Sequence, residues 1–172
     1  MTTADSFTPC PPGDPVANSF TLCLPGDPVA KGRPRVYHGH AITPRKTVHA
    51  EERLFAEFRR KYPNAKPLTG PVRIRAEFWM RRRGKPDIDN LLKTILDALN
   101  AVAYMDDAQV IELQAAKRMP DQRIRGVRGQ YRNRKTGDPY TWQGREYEPH
   151  LYVEITELPA YGPDTENIPT TR

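Results

Sequence analysis

The stretch VRIRAEFWMRRRGKPDIDNLLKTILDALNAVAYMDDAQVIELQAAK, residues 72–117, changes its hydrophobic period twice. From Val72 to Trp79 it alternates, with Val72, Ile74, Ala76 and Phe78 on one side and Arg73, Arg75, Glu77 and Trp79 on the other. That is the period of a half-buried strand whose outer face is partly basic. A basic turn follows, Arg81-Arg82-Arg83-Gly84-Lys85-Pro86. From Asp89 the period becomes helical: Ile88, Leu91, Leu92, Ile95, Leu96, Leu99 and Val102 recur on one broad face, while Asp89, Lys93 and Asp97 lie four apart opposite it. Gln109 to Lys117 reads as a second strand.

Working outward, His150 to Leu158 (HLYVEITEL) predicts another strand, and Phe20 to Leu24 (FTLCL) a further one. Thr47 is expected to cap a helix running to about Tyr62, with Leu54, Phe55, Phe58 and Tyr62 on its apolar face. Residues 31–46 read as a basic loop, and Pro63 to Pro71 as a turn-rich connector. Residues 119–149 form a Gly/Arg-rich insertion with aromatic residues interspersed, expected to be a loop. About four strands and two main helices predict an α+β fold in one domain over 19–158. Residues 6–17 repeat residues 19–30 at ten of twelve positions, but Pro9 and Pro11 stand where the second copy has Leu22 and Leu24. Proline denies a central strand its ladder N–H groups, so 1–18 is expected to be a disordered tail, as is 159–172.

Length and composition narrow the class. A chain of 172 residues suits one domain. No run approaches the roughly 18 apolar residues of a membrane span, so no membrane partner is expected. The N-terminus has neither the basic nor the apolar region of a secretory signal. Cys10 and Cys23 suggest neither a disulfide framework nor a metal pair, and a reduced cytoplasmic setting is expected. The histidines lack ligand spacing apart from His38-x-His40, which is a weak metal signal.

Charge is distributed in blocks. Residues 31–85 hold sixteen Lys/Arg against four Asp/Glu, residues 86–116 one against six, and residues 117–149 nine against four. A cationic surface attracts a polyanion through counterion release, yet a compact carboxylate cluster within it repels phosphate. The conflict disappears if Asp87, Asp89, Asp106 and Asp107 hold a divalent cation, which turns the patch electropositive where phosphate arrives. Singly, each has a plainer explanation. Asp87 or Asp89 is a common helix N-cap, Asp89 with Lys93 a routine i,i+4 ion pair, Asp106-Asp107 a turn. From the residues alone, a metal-dependent nuclease and a non-catalytic DNA-binding or architectural protein are balanced.

The combination Asp87-x-Asp89-Asn90, Lys93, Asp97-Ala98-Leu99, Asp106-Asp107 and Lys117 resembles the RusA family of Holliday-junction resolvases, small enzymes common in phages and prophages. Lys31-Gly32-Arg33-Pro34-Arg35 after the first strand is similar to the family's N-terminal signature. The resemblance spans about residues 19–118 and the last strand. It implies a small mixed sheet with two main helices, a homodimer, and Mg²⁺-dependent symmetric nicking of four-way junctions, with Mn²⁺ as an alternative ion. Asp87, Asp89 and Asp107 take the family's catalytic and metal-binding places, Asp106 is a further candidate ligand, and Lys93 takes the place of the catalytic lysine. The DNA-binding set expected around them is Lys31, Arg33, Arg35, Arg73, Arg75, Arg81, Arg82, Arg83, Lys117, Arg123, Arg125 and Arg128. Flaps and replication forks are alternative branched substrates.

Overall fold

The structure, a computed structural model, describes residues 18–33, 35–37 and 40–160. Its strands are β1 (Ser19–Pro25), β2 (Arg35–Tyr37), β3 (His40–Ile42), β4 (Val72–Trp79), β5 (Val110–Arg118), β6 (Arg123–Arg125), β7 (Tyr131–Asn133), β8 (Thr141–Trp142), β9 (Arg145–Glu146) and β10 (His150–Glu157). Two helices, α1 (Arg45–Lys61) and α2 (Ile88–Leu99), and a short 3₁₀ turn (Asp107–Gln109) complete it. The expected tails lie almost wholly outside the described residues, as does His38.

Four strands form the main sheet in the order β1-β10-β4-β5. β10 pairs antiparallel with both β1 and β4, whereas β4 and β5 are parallel. The expected α+β architecture, a mixed four-stranded sheet with two helices, is thus observed. A parallel pair needs a crossover between its strands, and α2 supplies it. The inner side of β4 is realised as read, with Val72, Ile74, Ala76 and Phe78 all buried, whereas Trp79, expected on the outer side, is buried as well. The inner residues pack with Leu22, Val153 and Ile155 from the neighbouring strands, and with Leu54 and Phe58 of α1 and Leu91, Ile95 and Leu99 of α2. Both helices therefore cover one face of the sheet.

Three local expectations need correction. Thr47 does not cap α1, which begins two residues earlier with Pro44 at the cap position. Thr47 is buried, and its Oγ1 accepts the Gly32 N–H at 3.0 Å. Phe55 is 45% exposed, so the buried stripe of α1 is Leu54 and Phe58. Cys23 is disulfide-bonded rather than a free thiol, its partner lying outside the described residues. Within the expected loop 31–46, β2 and β3 form a short antiparallel hairpin.

The insertion also differs from a loop. β6 pairs with β7 and β8 with β9, giving two small hairpins. Aromatic contacts fix them to one end of β4. Trp142 meets Trp79 edge-on at 5.5 Å, Tyr147 lies 5.1 Å from Trp79, and the Tyr147 hydroxyl donates to Met80 O at 2.6 Å. Asp138 ties the segment together, accepting two hydrogen bonds from Arg132 at 2.7 Å and one from the Lys135 N–H at 2.6 Å. The Arg132 bond, the backbone N–H and the nearby guanidinium charges hold its pKa well below the usual carboxylate range.

A carboxyl whose folded pKa is depressed releases its proton more readily in the native state, so its stabilisation is present above the ordinary value and is lost as pH falls below about 4. The thermal midpoint of Asp138→Asn should therefore lie below that of the parent at pH 7, with the gap closing as both are acidified. A gap independent of pH would remove Asp138 from this role.

Candidate active site

The chain between β1 and α1 crosses the starts of both helices. Lys31 N–H donates to Asn90 O at 2.8 Å, and Gly32 N–H is held by Thr47. A Cβ on Gly32 would lie 2.8 Å from the Pro44 ring, so only glycine allows the strap to pass this close to α1. These two ties bring the Lys31-Gly32-Arg33 segment against the Asp89-Asn90-Lys93 segment. Together they line an open cleft of about 320 Å³.

At this cleft Lys93 Nζ stands 3.7 Å from Asp89 Oδ2, with both side chains more than half exposed. The Lys31 ammonium pairs with Asp97 and, at 2.7 Å, with Glu51. Burial works against that charge, but the hydrogen bonds to Asp97 and Glu51 and their charges overcome it and raise its pKa. Asp97 and Glu51 were not among the expected site residues. The four-residue spacing of Asp89, Lys93 and Asp97 was the available signal for the first; nothing local marked Glu51.

The four candidate carboxylates separate into distinct roles. Asp87 stands at the N-cap position of α2 but makes no capping bond, so the plainer explanation fails for it. Asp106 does cap: its carboxylate accepts the Ala108 N–H at 2.8 Å, while Gln109 Oε1 accepts the Met105 and Asp106 N–H groups. The routine explanation therefore holds for Asp106. Asp107 has its pKa raised by burial first, then by the charges of Asp97 and Asp106, against a lowering hydrogen bond with Tyr104.

That electrostatic company locates Asp107. The helix charge that acts on it is that of Asp97, near the C-terminal end of α2, whereas Asp87 and Asp89 flank the N-terminal end. Twelve helical residues span about 18 Å. The chain's return through β5 does not bring Asp107 back to Asp89, because β5 starts beside Asp107 and runs away from it. Among the described residues no three His, Cys, Asp or Glu side chains come close enough to hold a metal ion.

The basic candidates also divide. Lys31 and Arg33 line the Asp89 cleft. Lys117 Nζ donates to Gly84 O and Pro86 O, each at 2.8 Å, and so holds the turn that carries Asp87. Arg83 donates to Pro120 O at 2.8 Å. Arg81 and Arg82 are exposed on the same turn. Arg73 pairs with Glu112 and Arg75 with Glu77 on the sheet face away from the helices, so neither lies at the cleft. Arg35 belongs to β2 by its backbone. Arg123, Arg125 and Arg128 are exposed on the β6–β7 hairpin. No helix among the described residues is long and apolar enough to cross a membrane.

Residues 25–127 match the family described as "Endodeoxyribonuclease RusA", a stretch holding the cleft, all of α2 and both aspartate pairs. The chain is 43% identical over 51 residues to the crossover junction endodeoxyribonuclease RusA of Escherichia coli K12, covering 29% of this chain and 42% of that protein. The RusA protein of Enterobacteria phage 82 matches to the same extent. The uncharacterized protein YqaN of Bacillus subtilis is 47% identical over 38 residues, 22% of this chain and 27% of its own. The chain thus spans less than half the length of the curated relatives it matches. With a match over more than half of its own residues, this chain belongs to the RusA family of endodeoxyribonucleases.

Proposed function

We propose that this chain is a Mg²⁺-dependent endodeoxyribonuclease that acts as a twofold dimer and resolves four-way DNA junctions by paired nicks. The observation that carries the reading is the Asp89–Lys93 pair, set with Lys31, Arg33 and Asn90 in an open cleft beside an uncommitted Asp87. A merely architectural DNA-binding protein would use its carboxylates as caps and ion pairs. Asp106 fits that description, and so does Asp89 in its i,i+4 pair with Lys93, but Asp87 does not.

One chain alone does not fit the metal, because Asp87 and Asp89 lack a third ligand. A second copy supplies one. β5 is an edge strand of the sheet, with Ile111 and Leu113 each 49% exposed and Met105, just before it, 57% exposed. Unpaired strand edges with apolar side chains are templates for association. If two β5 strands pair antiparallel about a twofold axis, the start of one meets the end of the other. The start carries Asp107. The end carries Lys117, which holds the Pro86–Asp87 turn. Each site would then combine Asp87 and Asp89 of one subunit with the partner's Asp107, and the two sites would suit the two equivalent strands of a junction.

A divalent cation bound there supplies positive charge beside the scissile phosphate and makes nearby water more acidic. The chain's own residues do the rest. Lys31 and Arg33 draw the phosphodiester backbone into the cleft. Lys93, one helical turn after Asp89, donates to phosphate oxygens as their negative charge grows. Lys117 keeps Asp87 in place by fixing its turn.

The test uses labelled four-way junction, linear duplex and flap, each with Mg²⁺, Mn²⁺ or EDTA. Symmetric nicks in the junction alone, abolished by EDTA, are expected. Equal cleavage of the flap would broaden the substrate, and binding without cleavage would leave an architectural protein. Lys93→Ala should slow cleavage of bound junction about 10²- to 10³-fold with little change in Kd. If Kd rose and the bound rate held, Lys93 would position DNA instead.

A further inference from the structure

The insertion sorts its basic residues into two groups. Arg132 is bound twice to Asp138. Arg134 donates to Asp138 O and Pro139 O, with its guanidinium 4.3 Å above the Tyr140 ring. These two hold the hairpins together. Arg123 and Arg125 are different. They are exposed, alternate with the buried Ile124, and make only 3.4 Å contacts to Tyr131 O and Gly129 O. Arg128, at the hairpin tip beside the fully exposed Val127, forms no hydrogen bond or ion pair among the described residues.

Strand alternation puts Arg123 and Arg125 on one face of the hairpin. The register sets Arg125 opposite Tyr131, so that side chain, 64% exposed, shares the face. The same face forms one wall of an open cleft of about 650 Å³, closed on the other side by Gln143, Gly144 and Glu146. The Asp121 carboxylate on its border already accepts the Gln143 and Gly144 N–H groups. Thr141, also in the lining, has a buried hydroxyl without a partner.

We propose that this face binds an unpaired segment of DNA, with one base stacked on Tyr131 and the flanking phosphates on Arg123, Arg125 and Arg128. Residues two apart on a strand stand about 7 Å apart, of the order of the step between neighbouring phosphates in an extended single strand. An exposed aromatic ring between cations is a stacking platform that a duplex, with its bases already stacked, cannot use. Flaps and forks carry unpaired nucleotides outright, and a four-way junction offers them where base pairs at its centre open. The assignment rests on the nuclease reading for that source of DNA, but its test does not require cleavage.

Binding of a labelled short oligothymidylate to the full chain is measured in EDTA across a salt series, beside a linear duplex. Each phosphate contact on a single strand contributes about 0.7 to the slope of log K against log salt. Replacing Arg123, Arg125 and Arg128 together by Gln should flatten the oligothymidylate slope by about 2. Lys at the same positions should preserve it, which guards against a folding defect. Tyr131→Ala should weaken oligothymidylate binding about five- to hundredfold with the slope unchanged, and Tyr131→Phe should keep the affinity.

No binding by the parent, an unchanged slope in the Gln variant, or full affinity in Tyr131→Ala would each overturn the assignment. So would a loss confined to the duplex. Junction cleavage with Mg²⁺ is followed in parallel, so failure of the nuclease reading shows there alone.

Discussion

Asp89→Asn is expected to reduce junction cleavage at least about a thousandfold while junction binding is kept or tightened. The substitution preserves shape and removes one negative charge from a cleft that must admit phosphate. Loss of a group that acts as part of a catalytic unit has effects of this size or larger. Tighter binding follows from the same charge, since Asp89 stands 3.7 Å from Lys93 and offsets part of its attraction for the backbone. Folding should be unaffected, because the Asp89 carboxylate is exposed and its bonds are to Lys93 and to Asn90 Nδ2 at 3.3 Å. Electrophoretic binding and single-turnover cleavage on the same preparations separate the two effects. A variant that binds less and cleaves bound junction at the parent rate would make Asp89 a structural residue.

How much of this was legible beforehand depended on the range of the interactions involved. β4 was readable because one buried face forces alternation from Val72 to Phe78, and it departs only at Trp79, which the insertion covers on the outer side. The start of α2 was readable to within a residue because its apolar face is broad, but the helix ends at Leu99 with Asn100 as its C-cap, short of the Val102 to which the apolar period runs. The insertion was not. Its strands are two or three residues long, too short to show a period, and its order comes from pairs distant in sequence such as Tyr147 with Met80 and Trp142 with Trp79. Thr47 was misread for a related reason: its hydroxyl takes an N–H from Gly32, fifteen residues upstream, and no local rule anticipates that partner.

The site was legible in its parts and not in its assembly. Residue type and spacing alone place Asp106 and Asp107 side by side, and only the family resemblance puts Asp107 first. The two differ in their partners: the Asp106 carboxylate is held by the Ala108 N–H of its own turn, that of Asp107 by the Tyr104 side chain. The length of α2 could be counted in advance, but not the side on which Asp107 would remain. Parallel pairing of β4 with β5 settles that point. A parallel return starts at the end of the sheet where β4 also starts, and Asp87 follows the end of β4.

The separation of Asp89 from Asp107 leads to the sharpest test of a shared site. Asp89→Asn and Asp107→Asn proteins should each be inactive alone. Mixed and allowed to exchange subunits, they form heterodimers in which one site carries both substitutions. The other site combines an intact Asp89 with the partner's intact Asp107. Activity should therefore reappear on mixing, limited to one nick per heterodimer, so that nicked junctions accumulate ahead of resolved ones. If each site lay within one chain, every subunit in the mixture would carry a defect and nothing would be restored. Leu113→Arg, which places a charge on the exposed edge of β5, should block the recovery by preventing exchange into dimers, as sedimentation would show. Recovery without dimers would refute the β5 arrangement. Absence of recovery in mixtures shown to contain heterodimers would return all three carboxylates to a single chain and require Asp107 to move toward Asp89 when DNA binds.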